Sequence, residues 1–305
     1  MLPFPLIYAD AYDLNFGNHV FQASKFRLIR ELLLRCRVAA PGDFLAPRPA
    51  TREELLTVHD AAWIDRLEAG RLTYHEILRL EVPYSRDMVQ AAFLSTGGTL
   101  AAARAALVGG AGFNIGGGFH HAFADHGEGF CAVNDIAVAI RVLQREGRIR
   151  RALVADCDVH QGNGTAAIFH ADPSVFTLSI HQLNNYPQVK PPSTLDVDLE
   201  DGLGDHEYLA RLDAACTQSL AAFQPDLILY VAGADPYFDD QLGGLALSKE
   251  GLHARDRLVC SAAARRRIPI AVVLAGGYAR YLEDTVEIHA NTAVALLESL
   301  RSAVD

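Results

Sequence analysis

Residues 156–164 read Asp-Cys-Asp-Val-His-Gln-Gly-Asn-Gly, which sets carboxylates and an imidazole two residues apart. In extended chain Asp156, Asp158 and His160 project to the same side, so three potential ligands share one face. A further carboxylate, Asp235, lies in Gly233-Ala-Asp235-Pro236, directly after an apolar run at 227–232. Asp158, His160 and Asp235 would together offer one imidazole and two carboxylates, leaving positions open for water and a substrate oxygen as catalytic zinc sites do. Any one of them alone would more readily cap a helix or satisfy loop amides. An Asp-x-Asp-x-His-x-Gly-x-Gly run followed on a later strand by Ala-Asp-Pro is not explained in that way, and its glycines suit a backbone turning tightly beneath an ion. Asp156 is better placed to orient a histidine, or to serve a separate monovalent cation, than to hold the catalytic ion.

Upstream, Asn114-Ile-Gly116-Gly117-Gly118-Phe119-His120-His121-Ala122 sets two adjacent histidines behind three glycines, where each ring can be aimed at a different partner. Histidine is tuned for proton transfer near neutral pH, so acid–base work is the chemistry this pair suggests. The plainer alternative is a pair satisfied inside the core. No glycine pattern of a nucleotide-phosphate cradle opens a helix here. Downstream, Gly127-Glu-Gly129-Phe130-Cys131 puts an aromatic beside glycine before a polar helix start at Asn134. Phe119 and Phe130 are as ordinary in a core as in the wall of an apolar channel. Leu274-Ala-Gly276-Gly277-Tyr278 ends an apolar run with a phenol on a pair of glycines. That pair reads as a flexible hinge from which the hydroxyl could donate to a developing oxyanion; a surface tyrosine after a turn is the alternative.

Positioning these residues requires strands. Apolar runs at 151–155, 175–180, 227–232 and 270–274 each precede a Gly-, Asp- or His-rich stretch and alternate with helical patterns at 25–35, 87–107, 134–145, 208–223, 249–266 and 284–300. This is the rhythm of a parallel α/β sheet, whose ligands collect at the carboxyl ends of the strands. Ser248 before Lys249-Glu-Gly and Thr51-Arg-Glu-Glu54 read as helix starts. No linker or internal repeat divides the 305 residues, so a single α/β domain with a central, mostly parallel sheet flanked by helices is expected. Five cysteines without paired spacing argue against a disulfide framework. A net charge of −10 opposes nucleic acid and anionic membrane as partners, and the basic clusters Arg148/Arg150/Arg151 and Arg265–Arg267 read as solvated loop charge. The runs named here fall short of a membrane span, and the start of the chain lacks a basic, then apolar, leader, so a cytoplasmic location is expected.

Taken in order, these segments resemble the histone deacetylase family, within the arginase/deacetylase fold, from about Tyr8 to His289. The resemblance implies zinc ligands at Asp158, His160 and Asp235, a histidine dyad at His120 and His121, and an oxyanion-stabilising phenol at Tyr278. It implies that Asp156 pairs with His120 and Asn163 with His121, and that Gly129, Phe130 and Phe119 line a substrate channel. A structural K+ or Na+ site using Asp156, Asp158, His160, Ser179 and Ile180 is implied as well. Asn163, in Gln161-Gly-Asn163-Gly, stands where class I members carry an aspartate, and the dyad follows Gly-Gly-Gly-Phe rather than a proline-rich run. Both departures, and His19-Val20-Phe21 with Lys25, are similar to class IV and its bacterial relatives. A neutral amide at Asn163 would leave His121 less basic than an aspartate would.

The reaction so implied is hydrolysis of an N-acyl amine. Zinc and Tyr278 polarise the carbonyl, His121 deprotonates the attacking water, and the dyad stabilises the oxyanion and protonates the leaving amine. An arginase-like dimanganese hydrolase would need bridging carboxylates beyond Asp158 and Asp235. A catalytically silent acyl-lysine or metabolite-binding module would be expected to lack a ligand, a histidine or the tyrosine, and none is missing. Acyl-lysine, long acyl groups included, is the substrate class that the class IV resemblance favours; acetylpolyamine or another small amide would fit the same channel. Segments 81–86 and 182–194 are expected at its rim. Fe2+ would suit the same ligands as Zn2+. Oligomeric state is left open.

Overall fold

Each apolar run that precedes a glycine- or acid-rich stretch becomes a strand in the computed structural model, which describes residues 1–303. The first half contains β1 (Leu6–Ile7), α1 (Ser24–Arg35), β2 (Phe44–Leu45), α2 (Arg52–Leu55), α3 (Ala61–Ala69), α4 (Tyr74–Leu80), α5 (Arg86–Gly109), β3 (Ala111–Asn114) and α6 (Asp135–Arg145). The second half contains β4 (Ala152–Asp156), α7 (Asn163–Ile168), β5 (Val175–Gln182), β6 (Leu195–Leu199), α8 (Asp205–Ala222), β7 (Leu227–Val231), α9 (Lys249–Arg266), β8 (Ile270–Val273) and α10 (Leu282–Arg301). All eight strands form one parallel sheet in the order β2-β1-β3-β8-β7-β4-β5-β6. This is the single-domain α/β architecture that the sequence predicts.

Both faces of the sheet are covered, which is why its central strands are apolar throughout rather than alternating. Along β4, Leu153 and Ala155 enter a core shared with Phe26 and Ile29 of α1, Tyr208 of α8 and Val259 of α9. Ala152 and Val154 enter the opposite core with Trp63, Leu100 and Ile140. Burying a side chain of this size contributes roughly 1.5–3 kcal/mol, so a charge at Val154 would cost more than the domain can spare.

Helix starts follow the local chemistry. Ser248 accepts from the Gly251 amide, and Thr51 and Glu54 form a reciprocal capping box. The strands that the sequence does not announce are short or at an edge: β1 and β2 have two residues each, β3 is Ala-Gly-Phe-Asn, and β6 is the half-exposed edge Leu-Asp-Val-Asp-Leu. One helix, α5, is long and apolar enough to cross a membrane by length and composition, with a mean hydropathy of 1.3 over its most apolar window, although no uninterrupted apolar run in it reaches that length. Most of that window is buried against the sheet and α6, which makes α5 a core helix. Arg148, Arg150 and Arg265–Arg267 are solvent-exposed, as expected, but Arg265 and Arg266 belong to the last turn of α9 rather than to a loop, and Arg151 is half-buried over the Phe223 ring.

Candidate active site

The four segments singled out in the sequence leave the carboxyl ends of β3, β8, β7 and β4, which are consecutive neighbours at the centre of the sheet. Asp158, His160 and Asp235 are buried, and a ligand atom from each lies within 4.8 Å of the others. Asp158 Oδ1 accepts from the His160 amide at 3.0 Å, and its Oδ2 accepts from the Gly276 amide at 2.9 Å. Asp235 Oδ1 accepts from the Val159 amide at 3.0 Å. Its Oδ2 is buried without a hydrogen-bond partner among the described residues and lies 3.3 Å from His160 Nδ1. Burial and the charge of Asp158 raise Asp235 to about 7. Burial pulls His160 down, but Asp158 and Asp235 outweigh it and raise the ring to about 10.

Backbone glycines make the space for this cluster. A Cβ on Gly233 would stand 2.5 Å from Asp158 Oδ2 and 2.7 Å from Asp235 Oδ1, and one on Gly276 would run into Asp235 Oδ2. The glycine between Gln161 and Asn163 has a different reason from the one the sequence suggests. A Cβ on Gly162 would strike Asp156 Oδ2, so that glycine admits the Asp156–His120 contact rather than a turn beneath an ion.

The two histidine rings stand 4.1 Å apart and have different partners. His120 Nδ1 is 2.7 Å from Asp156 Oδ2, and its Nε2 is 3.8 Å from Asp158 Oδ1. Burial lowers the His120 pKa, yet the charges of Asp156 and Asp158 and the Asp156 hydrogen bond overcome this and raise it to about 9. His121 Nδ1 is 2.7 Å from Asn163 Oδ1. Burial, with His120 and His160 as positive neighbours, holds His121 well below the usual histidine range.

Tyr278, Phe119, Gly129 and Phe130 line the same narrow cavity as His120, His121, Asp158 and His160. The Phe130 ring meets Tyr278 edge-on at 5.7 Å, and Phe130 has φ of 67°, a conformation that non-glycine residues adopt mainly where surrounding contacts hold them. An adjoining apolar cavity shares Phe21, Phe26, Phe119 and Phe130. Burial and the nearby Asp235 and Asp158 raise the Tyr278 hydroxyl well above its ordinary range, so it stays a neutral donor. The segment is no loose hinge: Asp240 Oδ2 accepts from the Tyr278 amide at 2.6 Å, and the Tyr278 carbonyl accepts from Gln241. The residues considered for a monovalent cation are also adjacent. Ser179 pairs in register with Asp156 across β4 and β5, although its hydroxyl is engaged with His181 Nδ1 at 2.9 Å, and Ile180 follows it in the core.

Several positioning residues escape a reading by motif. Asp135 accepts from the amides of Gly118 and Phe119 at 3.0 and 2.8 Å, and Asn134 donates to the Ala122 carbonyl at 3.1 Å; together they hold the histidine loop. Arg255 is fully buried and donates to the carbonyls of Cys157 and Gly233, each close to a candidate ligand in the turns that follow the adjacent strands β4 and β7. Its signal was available: Leu252, Arg255, Asp256 and Val259 lie on one face of α9, a charge pair inside an apolar stripe. Lys25, noted through the resemblance, is buried with Nζ donating to the Ala275 carbonyl at 2.9 Å. Glu128 and Tyr186 reach Asn163 and His121 from two separate loops, with no local signal beyond an acid set between two glycines.

Comparison with known proteins identifies the family and the fold. A family model described as the histone deacetylase domain matches residues 19–293. An uncharacterized protein of Picosynechococcus sp. is 40% identical over 94% of this chain and 96% of its own length. Histone deacetylase 2 of Arabidopsis thaliana is 32% identical over 92% of this chain and 77% of its own. The crystal structure of the HDA15 HD domain superposes with a TM-score of 0.81 at 24% identity, covering 99% of this chain and 92% of that one, a likeness of fold. With the fold, the match along nine-tenths of its length and the full set of motifs at one edge of the sheet, this chain belongs to the histone deacetylase family.

Proposed function

We propose that this protein is a zinc-dependent amidohydrolase that removes an acyl group from an amine, with acyl-lysine as the substrate class. The observation that carries the reading is a single cavity lined by Asp158 and His160 of a buried Asp-His-Asp cluster, by a neutral phenol and by two differently partnered histidines. The residues fit a divalent ion: a buried carboxylate oxygen of Asp235 has no hydrogen-bond donor, and the bracketing glycines leave room only for the carboxylates. Asp158, His160 and Asp235 would hold the ion, whose contribution is to polarise the acyl carbonyl and acidify water. One imidazole and two carboxylates also suit Fe2+. Asp156 and Ser179, opposite one another in the sheet, support a K+ or Na+ beside Asp158, His160 and Ile180.

The side chains divide the proton chemistry. His121, buried among positive neighbours and bonded to an amide, is neutral and accepts the proton of the attacking water. His120, paired with the Asp156 carboxylate, carries the positive charge that stabilises the oxyanion. Tyr278 donates its phenolic proton in a hydrogen bond to the same oxygen. The proton taken by His121 is then delivered to the leaving amine. Phe119 and Phe130, with Gly129 between Phe130 and His121, support a narrow apolar passage for an acyl-lysine stem. The amide at Asn163 and the glycines before the dyad support placement near class IV and its bacterial relatives. The free thiols, four of the five buried, support a reducing compartment such as the cytoplasm.

The test is turnover of acetyl-lysine peptide, long-chain acyl-lysine peptide and acetylated polyamine by protein as purified, stripped and zinc-restored. Zinc-restored cleavage of an acyl-lysine peptide is expected. Fastest cleavage of the polyamine would move the substrate class, and stoichiometric zinc binding without cleavage of any of them would overturn the acyl-lysine assignment.

A further inference from the structure

An asparagine side chain is ambivalent, because it offers an acceptor at one corner and two donors at the other and can turn end for end. The way Asn163 faces decides which nitrogen of His121 carries the proton. An amide oxygen toward Nδ1 requires a proton on Nδ1 and leaves Nε2 free to accept; an amide nitrogen there requires the reverse. In the structure Asn163 Oδ1 is 2.7 Å from His121 Nδ1, and Asn163 Nδ2 donates to Glu128 Oε1 at 2.5 Å. A carboxylate has no donor, so only the amine end of the asparagine can face it.

Glu128 is itself held. Tyr186 Oη donates to the same Oε1 at 2.7 Å, and His126 Nε2 lies 3.5 Å from Oε2. Burial favours a proton on Glu128, but the hydrogen bonds from His126, Tyr186 and Asn163 outweigh it and keep its pKa below the usual carboxylate range. The Tyr186 ring stands edge-on to His121 at 4.9 Å, so a residue of segment 182–194 braces both the imidazole and the carboxylate that governs it.

We propose that Glu128 is a positioning residue for His121: it orients the Asn163 amide and so selects the imidazole tautomer whose Nε2 accepts. The orientation stands on hydrogen-bond geometry alone, whereas its effect on turnover rests on the amidohydrolase reading. Glutamine at 128 presents either an acceptor or a donor and releases the choice.

The test has two arms on the full chain. Nitrogen-15 histidine spectra, with the His121 signal identified by its loss in His121→Gln, are expected to show the Nδ1-protonated tautomer in the wild type. Glu128→Gln should show a mixture or the reverse tautomer. In kinetics, Glu128→Gln should lower kcat about tenfold with KM within about twofold, the scale of one lost hydrogen bond to a charged group. In an Asn163→Asp background the carboxylate accepts from His121 without being oriented, and it repels Glu128. There Glu128→Gln should cost nothing or raise kcat. An unchanged His121 tautomer in Glu128→Gln, or the same fall in kcat in both backgrounds, would overturn the proposal. If the wild type cleaves no acyl amine, the amidohydrolase reading fails, while the tautomer spectra still decide the role of Glu128.

Discussion

Tyr278 sits in the cavity wall as a neutral phenol on a backbone pinned by Asp240, in the manner of a preorganised hydrogen-bond donor rather than a mobile one. Such a donor acts on charge that develops during the reaction and not on the ion. Tyr278→Phe is therefore expected to lower kcat about 10²–10³-fold with the zinc stoichiometry unchanged, checked by steady-state kinetics alongside metal analysis. Turnover equal to wild type would remove Tyr278 from the chemistry. The residue types and order of this site were legible in the sequence, because strand-end Asp, His and Tyr beside glycine are unusual enough to be read together. The pinning by Asp240 was not, since Asp240 and Tyr278 meet only when the loops after β7 and β8 come side by side.

At the scale of elements, the turns after β4 and β7 are held in register from below. Arg255 of α9 donates to the Cys157 and Gly233 carbonyls and pairs with Asp256, which also accepts from Tyr230 at 2.5 Å and Thr292 at 2.7 Å. Removing the cation leaves Asp256 buried without its charge partner and two carbonyls short of a donor. Arg255→Leu should cost about 3–5 kcal/mol in urea unfolding and weaken zinc binding. A loss under about 1 kcal/mol with zinc binding intact would show that the turns hold themselves. The capping box of α2 supplies a pH test. The hydrogen bond from Arg48 lowers Glu54 to about 2, ahead of the opposing effect of burial, with help from the Thr51 amide. A depressed carboxylate stabilises the fold above its unfolded pKa and loses that contribution as pH falls toward 2. The stability difference between wild type and Glu54→Gln should be about 1–3 kcal/mol at pH 7 and shrink steadily below about pH 4.5, as followed by denaturant titrations. A difference independent of pH would contradict this origin.

For the whole molecule, the sheet order decides function. Segments far apart in the chain, at 114–121, 156–163, 233–235 and 274–278, converge because β3, β8, β7 and β4 are neighbours. Binding of an ion to this folded arrangement and not to the unfolded chain should stabilise the entire domain by about 2.7 kcal/mol at a hundredfold excess over Kd, a rise in Tm of roughly 4 °C for a domain of this size. Calorimetry of stripped and zinc-restored protein would show it, and Asp235→Asn should abolish the gain. An equal gain in that variant would place the ion elsewhere.

The sequence by itself determined the alternation of strands and helices, the single α/β domain, the acidic character and the types of side chain available for chemistry, since these follow from local periodicity and composition. It left Phe119 and Phe130 equally at home in a core or a channel, and it suggested a flexible tyrosine. Only the tertiary structure decided that Phe130 meets Tyr278, that Arg255 anchors two turns from beneath, and that Glu128 and Tyr186 stand behind Asn163. The physical reason is range. Periodicity is a property of neighbours along the chain, whereas the direction of a hydrogen bond and the burial of a charge depend on groups that only the order of strands in the sheet brings together.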